Sequence, residues 1–246
     1  MFASEGAIAL IVEDLGASAP RLMIWHDETI TDLEIPVQMN EISITCMNDS
    51  RQVAGSISVS LDNTDHTRQK PAVWRPDGMV QILREIPDSE SGMVCSINNS
   101  GVALVSGMSF PFGREAIVWD TNSGAVRPVL SNAIPVFIGS EGQMGAIGYR
   151  ASGEQCPLIS YGHEWQEVAV NDGFSPSTAN DSLTLAGQVY VDGFPVAWSK
   201  RKDGPVELLP AYEYHQCSAR RITSENLIAG QISTENHQHA VLWLPY

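Results

Sequence analysis

Ala116-Ile117-Val118-Trp119, an apolar run closed by an indole, recurs along the whole chain. Its counterparts are Leu22-Met23-Ile24-Trp25, Ala72-Val73-Trp74, Leu158-Ile159-Ser160-Tyr161, Val196-Ala197-Trp198 and Ala240-Val241-Leu242-Trp243. The steps between their last residues are 49, 45, 42, 37 and 45 residues. A repeat of that length marks a stacked or circular array of supersecondary units, none able to bury its apolar side alone.

Each unit holds four short apolar runs. The first precedes a polar turn: Thr45-Cys46-Met47 before Asn48-Asp49-Ser50, Cys95-Ser96-Ile97 before Asn98-Asn99-Ser100-Gly101, and Val136-Phe137-Ile138 before Gly139-Ser140-Glu141-Gly142. Asn, Asp, Ser and Gly accept the dihedral angles of a tight hairpin. The second run ends in a small residue, as in Val53-Ala54-Gly55, Ala146-Ile147-Gly148, Leu185-Ala186-Gly187 and Ile228-Ala229-Gly230. Glycine there suggests a close approach between neighbouring sheets. The third run is the Trp strand, and the fourth ends at Leu33, Leu83, Leu130, Val168 or Leu209. Trp165 falls out of phase, on the fourth run of its unit.

Four antiparallel strands in each of six units predict an all-β fold, a six-bladed β-propeller built as a single domain over residues 1–246. The chain opens at the end of a first-type strand and closes just past a third-type strand, so the last blade is expected to lack its outer strand. Closure is expected through side-chain packing between the first and last blades. The tryptophans are read as core packing and none is given a ligand role.

The Ile97-Asn98-Asn99-Ser100-Gly101 stretch, the following Val105-Ser106-Gly107, the Ala116 to Trp119 strand and the Gly124 to Leu130 segment together resemble the HAF-type repeat, found in bacterial and often extracellular proteins. The unit from Ile134 to Val170 matches it poorly. The resemblance implies a propeller-like β fold and brings no catalytic residues with it.

Composition narrows the partners. Lys and Arg number 14 against 29 Asp and Glu, a net charge of −15 that repels phosphate backbones, so nucleic acid is not an expected partner. The basic cluster Lys200-Arg201-Lys202 is read as a solvated hairpin turn. No run of 18 apolar residues exists to span a membrane. The four cysteines, Cys46, Cys95, Cys156 and Cys217, fit no zinc spacing, and Cys46 and Cys95 are expected as buried free thiols. With no basic segment before the short Ala7 to Val12 run, the chain is expected to be cytoplasmic as written, and extracellular if excised from a longer one.

In a four-stranded blade, alternate connections fall on opposite faces. The segments Ser56–Lys70, Met108–Glu115, Asn171–Ser177, Pro210–Gln216 and Gln231–His239 read as long loops sharing one face, where function usually sits. Aromatic anchors Phe110, Phe112, Phe174, Phe194, Tyr212 and Tyr214 fall in or beside them. His237 and His239 lie two apart, on one side of a strand. With His215 or Glu213 they could hold a divalent metal, but polar loop residues at a wet rim are the preferred reading and no metal or other cofactor is assigned. Asp62-Asn63-Thr64-Asp65-His66 lacks the glycine and distal Glu of a calcium loop. Asn-x-Ser sequences begin at Asn48, Asn98 and Asn180, and turn chemistry explains them without a glycan. There is no Gly-x-Ser-x-Gly elbow and no phosphate-cradling glycine loop.

These features predict a non-enzymatic binding module, its ligand surface including Tyr212, Tyr214, His215, His237 and His239, with a protein or, less favoured, a glycan as partner. The alternative is a hydrolase or lyase with its site at the channel mouth near His215, His237 and His239.

Overall fold

The computed structural model describes residues 2–4, 7–12, 21–36, 39–60, 67–86, 89–109, 113–162, 164–168, 175–180, 182, 184–192, 194–201, 204–210, 216–222, 225–234 and 237–244. Within them the chain forms six antiparallel sheets, each a simple meander. Blade 1 consists of β1 (Phe2–Ser4), β2 (Ala7–Val12), β3 (Arg21–His26) and β4 (Thr29–Leu33). Blade 2 holds β5 (Met39–Met47), β6 (Val53–Ser60), β7 (Thr67–Trp74) and β8 (Val80–Ile82), and blade 3 holds β9 (Ser91–Ile97), β10 (Val102–Ser109), β11 (Gly113–Asp120) and β12 (Val126–Ser131). Blade 4 follows with β13 (Ala133–Ile138), β14 (Met144–Tyr149), β15 (Gln155–Tyr161) and β16 (Glu164–Glu167). Blade 5 contains β17 (Ser175–Ala179), β18 (Leu185–Val191), β19 (Phe194–Lys200) and β20 (Val206–Leu208). Blade 6 has β21 (Gln216–Ile222), β22 (Ile228–Ser233) and β23 (Gln238–Trp243), and no outer strand among the described residues. The fold is a six-bladed β-propeller. β1 hydrogen-bonds β2 inside the first blade, with Ser4 opposite Ala7, so it is not the fourth strand of the last.

The contacts of the chain group into two compact units, residues 1–132 with blades 1 to 3 and residues 133–246 with blades 4 to 6. Inside each unit the core lies between successive blades. Ala7, Leu22, Ile24 and Leu33 of blade 1 pack against Val53, Ile57, Ala72 and Trp74 of blade 2. The other face of blade 2, through Ala54 and Val73, packs against Val94, Val105, Ile117 and Trp119 of blade 3. A middle strand is therefore buried on both faces, which is why its sequence runs apolar without a break. In the second unit Val168 of blade 4 meets Leu185 and Trp198 of blade 5, and Ala186 and Ala197 meet Ile228 and Trp243 of blade 6.

In each of these layers the indole faces the preceding blade. Its N–H can also tether that blade's exit: Trp74 Nε1 donates to Glu34 O at 2.8 Å, and Trp243 Nε1 to Pro210 O at 2.9 Å.

The pairing register corrects the sequence frame in two blades. Trp25, Trp74, Trp119 and Trp243 sit opposite Ile8, Val53, Ala103 and Ile228, at the same place in their ladders. In blade 4 that place, opposite Met144, belongs to Ser160 rather than Tyr161, and in blade 5, opposite Leu185, to Lys200 rather than Trp198. Counted through Trp25, Trp74, Trp119, Ser160, Lys200 and Trp243, the steps become 49, 45, 41, 40 and 43 residues, more even than the aromatic residues alone suggest. Tyr161, next along from the buried Ser160, is 39% exposed. Strand neighbours face opposite sides, so a one-residue shift turns a core residue outward. Trp165 pairs with Ser160 on the outer strand, as expected.

A deeper regularity lies in the inner strands. β5, β9, β13, β17 and β21 share a one-residue skip in their pairing, at Thr45, Cys95, Val136, Ser177 and Arg220, and β5 has a second irregularity between Met39 and Ile42. In the first four strands the shared skip lies three residues before the first turn position, held by Asn48, Asn98, Gly139 or Asn180. A one-residue β-bulge kinks its strand and raises the local twist. It also relocates the close approach expected of the second-run glycines. A Cβ on Gly55, Gly187 or Gly230 would strike the carbonyl oxygen of Ser43, Ser175 or Ser218, on the bulged inner strand of the same sheet rather than on a neighbouring sheet.

Candidate functional site

The strands run further than the sequence implied, so the expected long loops are shorter. β6 and β7 extend through Ser60 and from Thr67, and β10 and β11 extend through Ser109 and from Gly113. β17 begins at Ser175 and β21 at Gln216, and β22 runs to Ser233 with β23 starting at Gln238, where Thr234 and His237 are bonded to one another. There Thr234 N donates to His237 O at 2.8 Å and His237 N to Thr234 Oγ1 at 3.0 Å.

Of the predicted ligand residues, Tyr212, Tyr214 and His215 lie outside the described residues, as do Glu213, Glu235, Phe110, Phe112, Phe174 and the Asp62–His66 stretch. His237 and His239 come together. His237 immediately precedes β23, His239 lies on β23 opposite Ile232, and their rings meet edge-on with centroids 6.1 Å apart and planes 63° apart. Both residues are exposed. Two imidazoles so placed can donate and accept hydrogen bonds at one rim. Among the described residues, no group of three or more His, Cys, Asp and Glu is arranged to hold a metal ion.

At the same end of the neighbouring blade, the β18–β19 hairpin carries an apolar tip. Val191 pairs with Phe194 and Tyr190 with Pro195, with Tyr190 62% and Phe194 50% exposed. Phe194 was expected on this face. Tyr190 and Val191 were missed, although their signal is in the sequence: Asp192-Gly193 between two alternating runs is a two-residue hairpin signature. Asp192 adopts the left-handed conformation such a turn needs, with φ of 50°.

The opposite face is made of tight turns, and the expected sequons prove to be built into them. Asn48, Asn98 and Asn180 are 5%, 7% and 4% exposed. Each side chain accepts a hydrogen bond from the backbone N–H four residues on: from Gln52 at 2.8 Å, Val102 at 2.9 Å and Thr184 at 3.0 Å. The amide of Asn48 then reaches Asn98 O at 2.7 Å, and that of Asn180 reaches Asn226 Oδ1 at 2.9 Å, each in the next blade. In the basic cluster, Lys200 closes β19 and donates to Gly204 O, while Arg201 is exposed.

All four cysteines are free thiols. Cys46 is buried as expected, while Cys95, at its bulge, is half-buried. Desolvation, followed by the neighbouring Cys46, pushes the Cys95 thiol up to about 12, so it stays protonated at neutral pH. A protonated thiol is a poor nucleophile. Desolvation likewise raises Cys156 and Cys217, the latter partly offset by the bond from Ala197 N to its sulfur at 3.0 Å.

Among solved structures the chain resembles the β-propeller domain of the Trilobed protease from Pyrococcus furiosus, described as having an open velcro topology, with a TM-score of 0.66 at 9% identity, covering 98% of this chain and 79% of that one. It also resembles Pyrococcus horikoshii acylaminoacyl peptidase (TM-score 0.64, 12% identity, covering 98% of this chain and 43% of that one). TolB from Acinetobacter baumannii gives a TM-score of 0.60 at 11% identity, covering 96% of this chain and 65% of that one. The chain thus spans less than half the length of the peptidase it resembles. No protein-family model and no curated protein sequence matches it. The likeness establishes the class, a β-propeller, whose neighbours include peptidase propeller domains and TolB. No helix among the described residues is long and apolar enough to cross a membrane.

Proposed function

We propose that this chain is a non-enzymatic binding module, one propeller domain that presents the face of the β18–β19 hairpin to a protein partner. The observation that carries the reading is the exposed pair Tyr190 and Phe194, held on a strand pair whose inner half is buried through Val189, Ala197 and Trp198. Aromatic side chains on a rigid support lose little freedom on binding and dominate interface energetics. His237 and His239, at the same end of the next blade, supply polar contacts beside them. Tyr212, Tyr214 and His215 fall in the connection between the two blades and belong to the same proposed surface.

The HAF-type assignment is part of this proposal. What supports it is the recurrence, in blades 2, 3 and 5, of an Asn-capped turn three residues after a bulge. The alternative, a hydrolase or lyase at the channel mouth, is favoured by one observation, the two imidazoles in ring contact.

Quantitative affinity capture from the source cells, comparing the wild-type chain with a Tyr190→Ser/Phe194→Ser variant, tests the proposal beside a panel of hydrolase and lyase substrates. One or more proteins should bind the wild type and fall by about tenfold or more on the variant. Turnover abolished by His237→Ala or His239→Ala, with no protein lost from the variant, would establish the enzyme instead.

A further inference from the structure

The tight-turn ends of blades 2 and 3 form a cleft of about 470 Å³. Four turns from blades 2 and 3 line it. The β5–β6 turn contributes Ser50 and Gln52, the β7–β8 turn Arg75 and Asp77, the β9–β10 turn Asn99, and the β11–β12 turn Asn122. Pro76 is the one apolar residue of the lining, yet apolar atoms make up about half of its exposed surface.

The walls are tied to one another before any ligand arrives. Asn99 Nδ2 donates to Asp49 Oδ2 at 2.8 Å, Asn122 Nδ2 donates to Ser100 O at 2.8 Å, and Ser50 Oγ donates to Asn99 O at 3.2 Å. Side chains held this way need little reordering on binding, which is where much affinity is otherwise lost.

Arg75 stands out among them. Of the other half-buried arginines, Arg68 and Arg150 are each within 3.3 Å of a carboxylate oxygen, whereas the Arg75 guanidinium makes no ion pair among the described residues and donates to Gln81 Oε1 at 3.3 Å. In a chain of net charge −15, a partly desolvated guanidinium with most of its donors unused is a ready seat for a carboxylate. Asp77 lies two residues away, but one of its oxygens already accepts from Met79 N at 3.1 Å.

We propose that this cleft binds a saccharide bearing a carboxylate, a uronic-acid unit, with the carboxylate on Arg75 and the ring hydroxyls on Asp77, Gln52 and Asn122. The lining favours this over an acidic peptide. Its amides, hydroxyls and one carboxylate lie beside about as much apolar surface, which matches a sugar ring with hydroxyls at its edge and C–H groups on its faces, whereas a peptide presents few hydroxyls to those groups. Asp77 would disfavour a second negative charge, so the ligand is singly charged over the span of the cleft. This site is independent of the hairpin face, and either can fail without the other.

Isothermal titration of the whole chain with methyl galacturonoside, which carries one carboxylate, with its methyl ester, and with an end-blocked tripeptide holding one Asp tests the proposal. Methyl galacturonoside should bind with a Kd of about 1 mM or tighter. Arg75→Gln and esterification should each weaken binding by about tenfold or more, while Arg84→Gln, an exposed arginine outside the cleft, should leave it unchanged. If Arg75→Gln does not fold, Arg75→Lys keeps the charge without the planar fork and should weaken binding by about threefold or more. The proposal is overturned if methyl galacturonoside does not bind, if neither Arg75 variant alters binding, if the ester binds equally well, or if the peptide binds as tightly.

Discussion

Blades 3 and 4 follow one another in the chain and are built on the same backbone, yet only blade 3 looks like a repeat. Blade 3 has Asn98 at the head of its turn, a buried Trp119 on its third strand, and side-chain bonds from its turns to blade 2. Blade 4 has Gly139 at the head of its turn and Ser160 in the indole's place. The bulge nevertheless falls three residues before the turn in both, at Cys95 and Val136. The same turn bonds also close in both: Asn98 N to Val102 O at 3.0 Å, and Gly139 N to Gln143 O at 2.8 Å. The blade is therefore specified by the pairing and the kink of its backbone. The signature side chains reinforce that frame where they occur, and a blade stands without them.

The comparison can be broken most sharply at the third strand. Trp119→Ala removes an indole that is 2% exposed and should cost about 3–5 kcal/mol in urea or thermal unfolding. Tyr161→Ala, at the residue the sequence takes for the equivalent, should stay within about 0.5 kcal/mol. Equal losses would mean that the shifted frame is wrong.

The second strand gives the next largest effect. Gly55→Ala drives a methyl group into the Ser43 carbonyl and should destabilise by about 2–3 kcal/mol. Ala146 already carries a Cβ at the corresponding place, opposite Pro135, so Ala146→Gly should show no relief of strain. At the first turn, Asn98→Ala leaves Val102 N–H without its side-chain acceptor and should cost about 1–2 kcal/mol by chemical denaturation. A loss near zero would put Asn98 on the same footing as Gly139. The smallest change should be a gain. Arg51 holds a left-handed φ of 61° where the corresponding turns have Gly101 and Gly142, so Arg51→Gly should stabilise by about 1 kcal/mol, read as a raised unfolding midpoint.

Strand type, strand order, blade number and the three-stranded last blade among the described residues could all be read from apolar runs, turn residues and spacing, because two-faced burial and tight hairpins each leave a strong compositional mark. The frame in blades 4 and 5 could not. Tyr161 and Trp198 imitate the pattern one and two residues away from the place that Ser160 and Lys200 fill, and only the pairing register separates them. The bulges left no mark either, since Thr, Cys, Val, Ser and Arg occupy them with nothing chemical in common. Loop lengths were overestimated because consecutive polar residues such as Arg68, Gln69 and Lys70 extend a strand outward while looking like loop. On the candidate faces, His237 with His239 and Phe194 were legible. Tyr190 was overlooked, although the Asp192-Gly193 turn that follows it marks a hairpin tip. Arg75 could not be singled out from sequence, because what distinguishes it is the lack of an ion pair within a cleft that four separate turns create.

The buried turn asparagines have a practical corollary for anyone producing this protein. Asn48 and Asn180 spend their amide nitrogen on the next blade, and that nitrogen is the atom to which a glycosylating enzyme would attach sugar. In a eukaryotic secretory host, sugar transfer to the emerging chain would compete with closure of these turns. Any molecule modified first would be barred from joining those blades correctly, so a cell without that machinery is the better host.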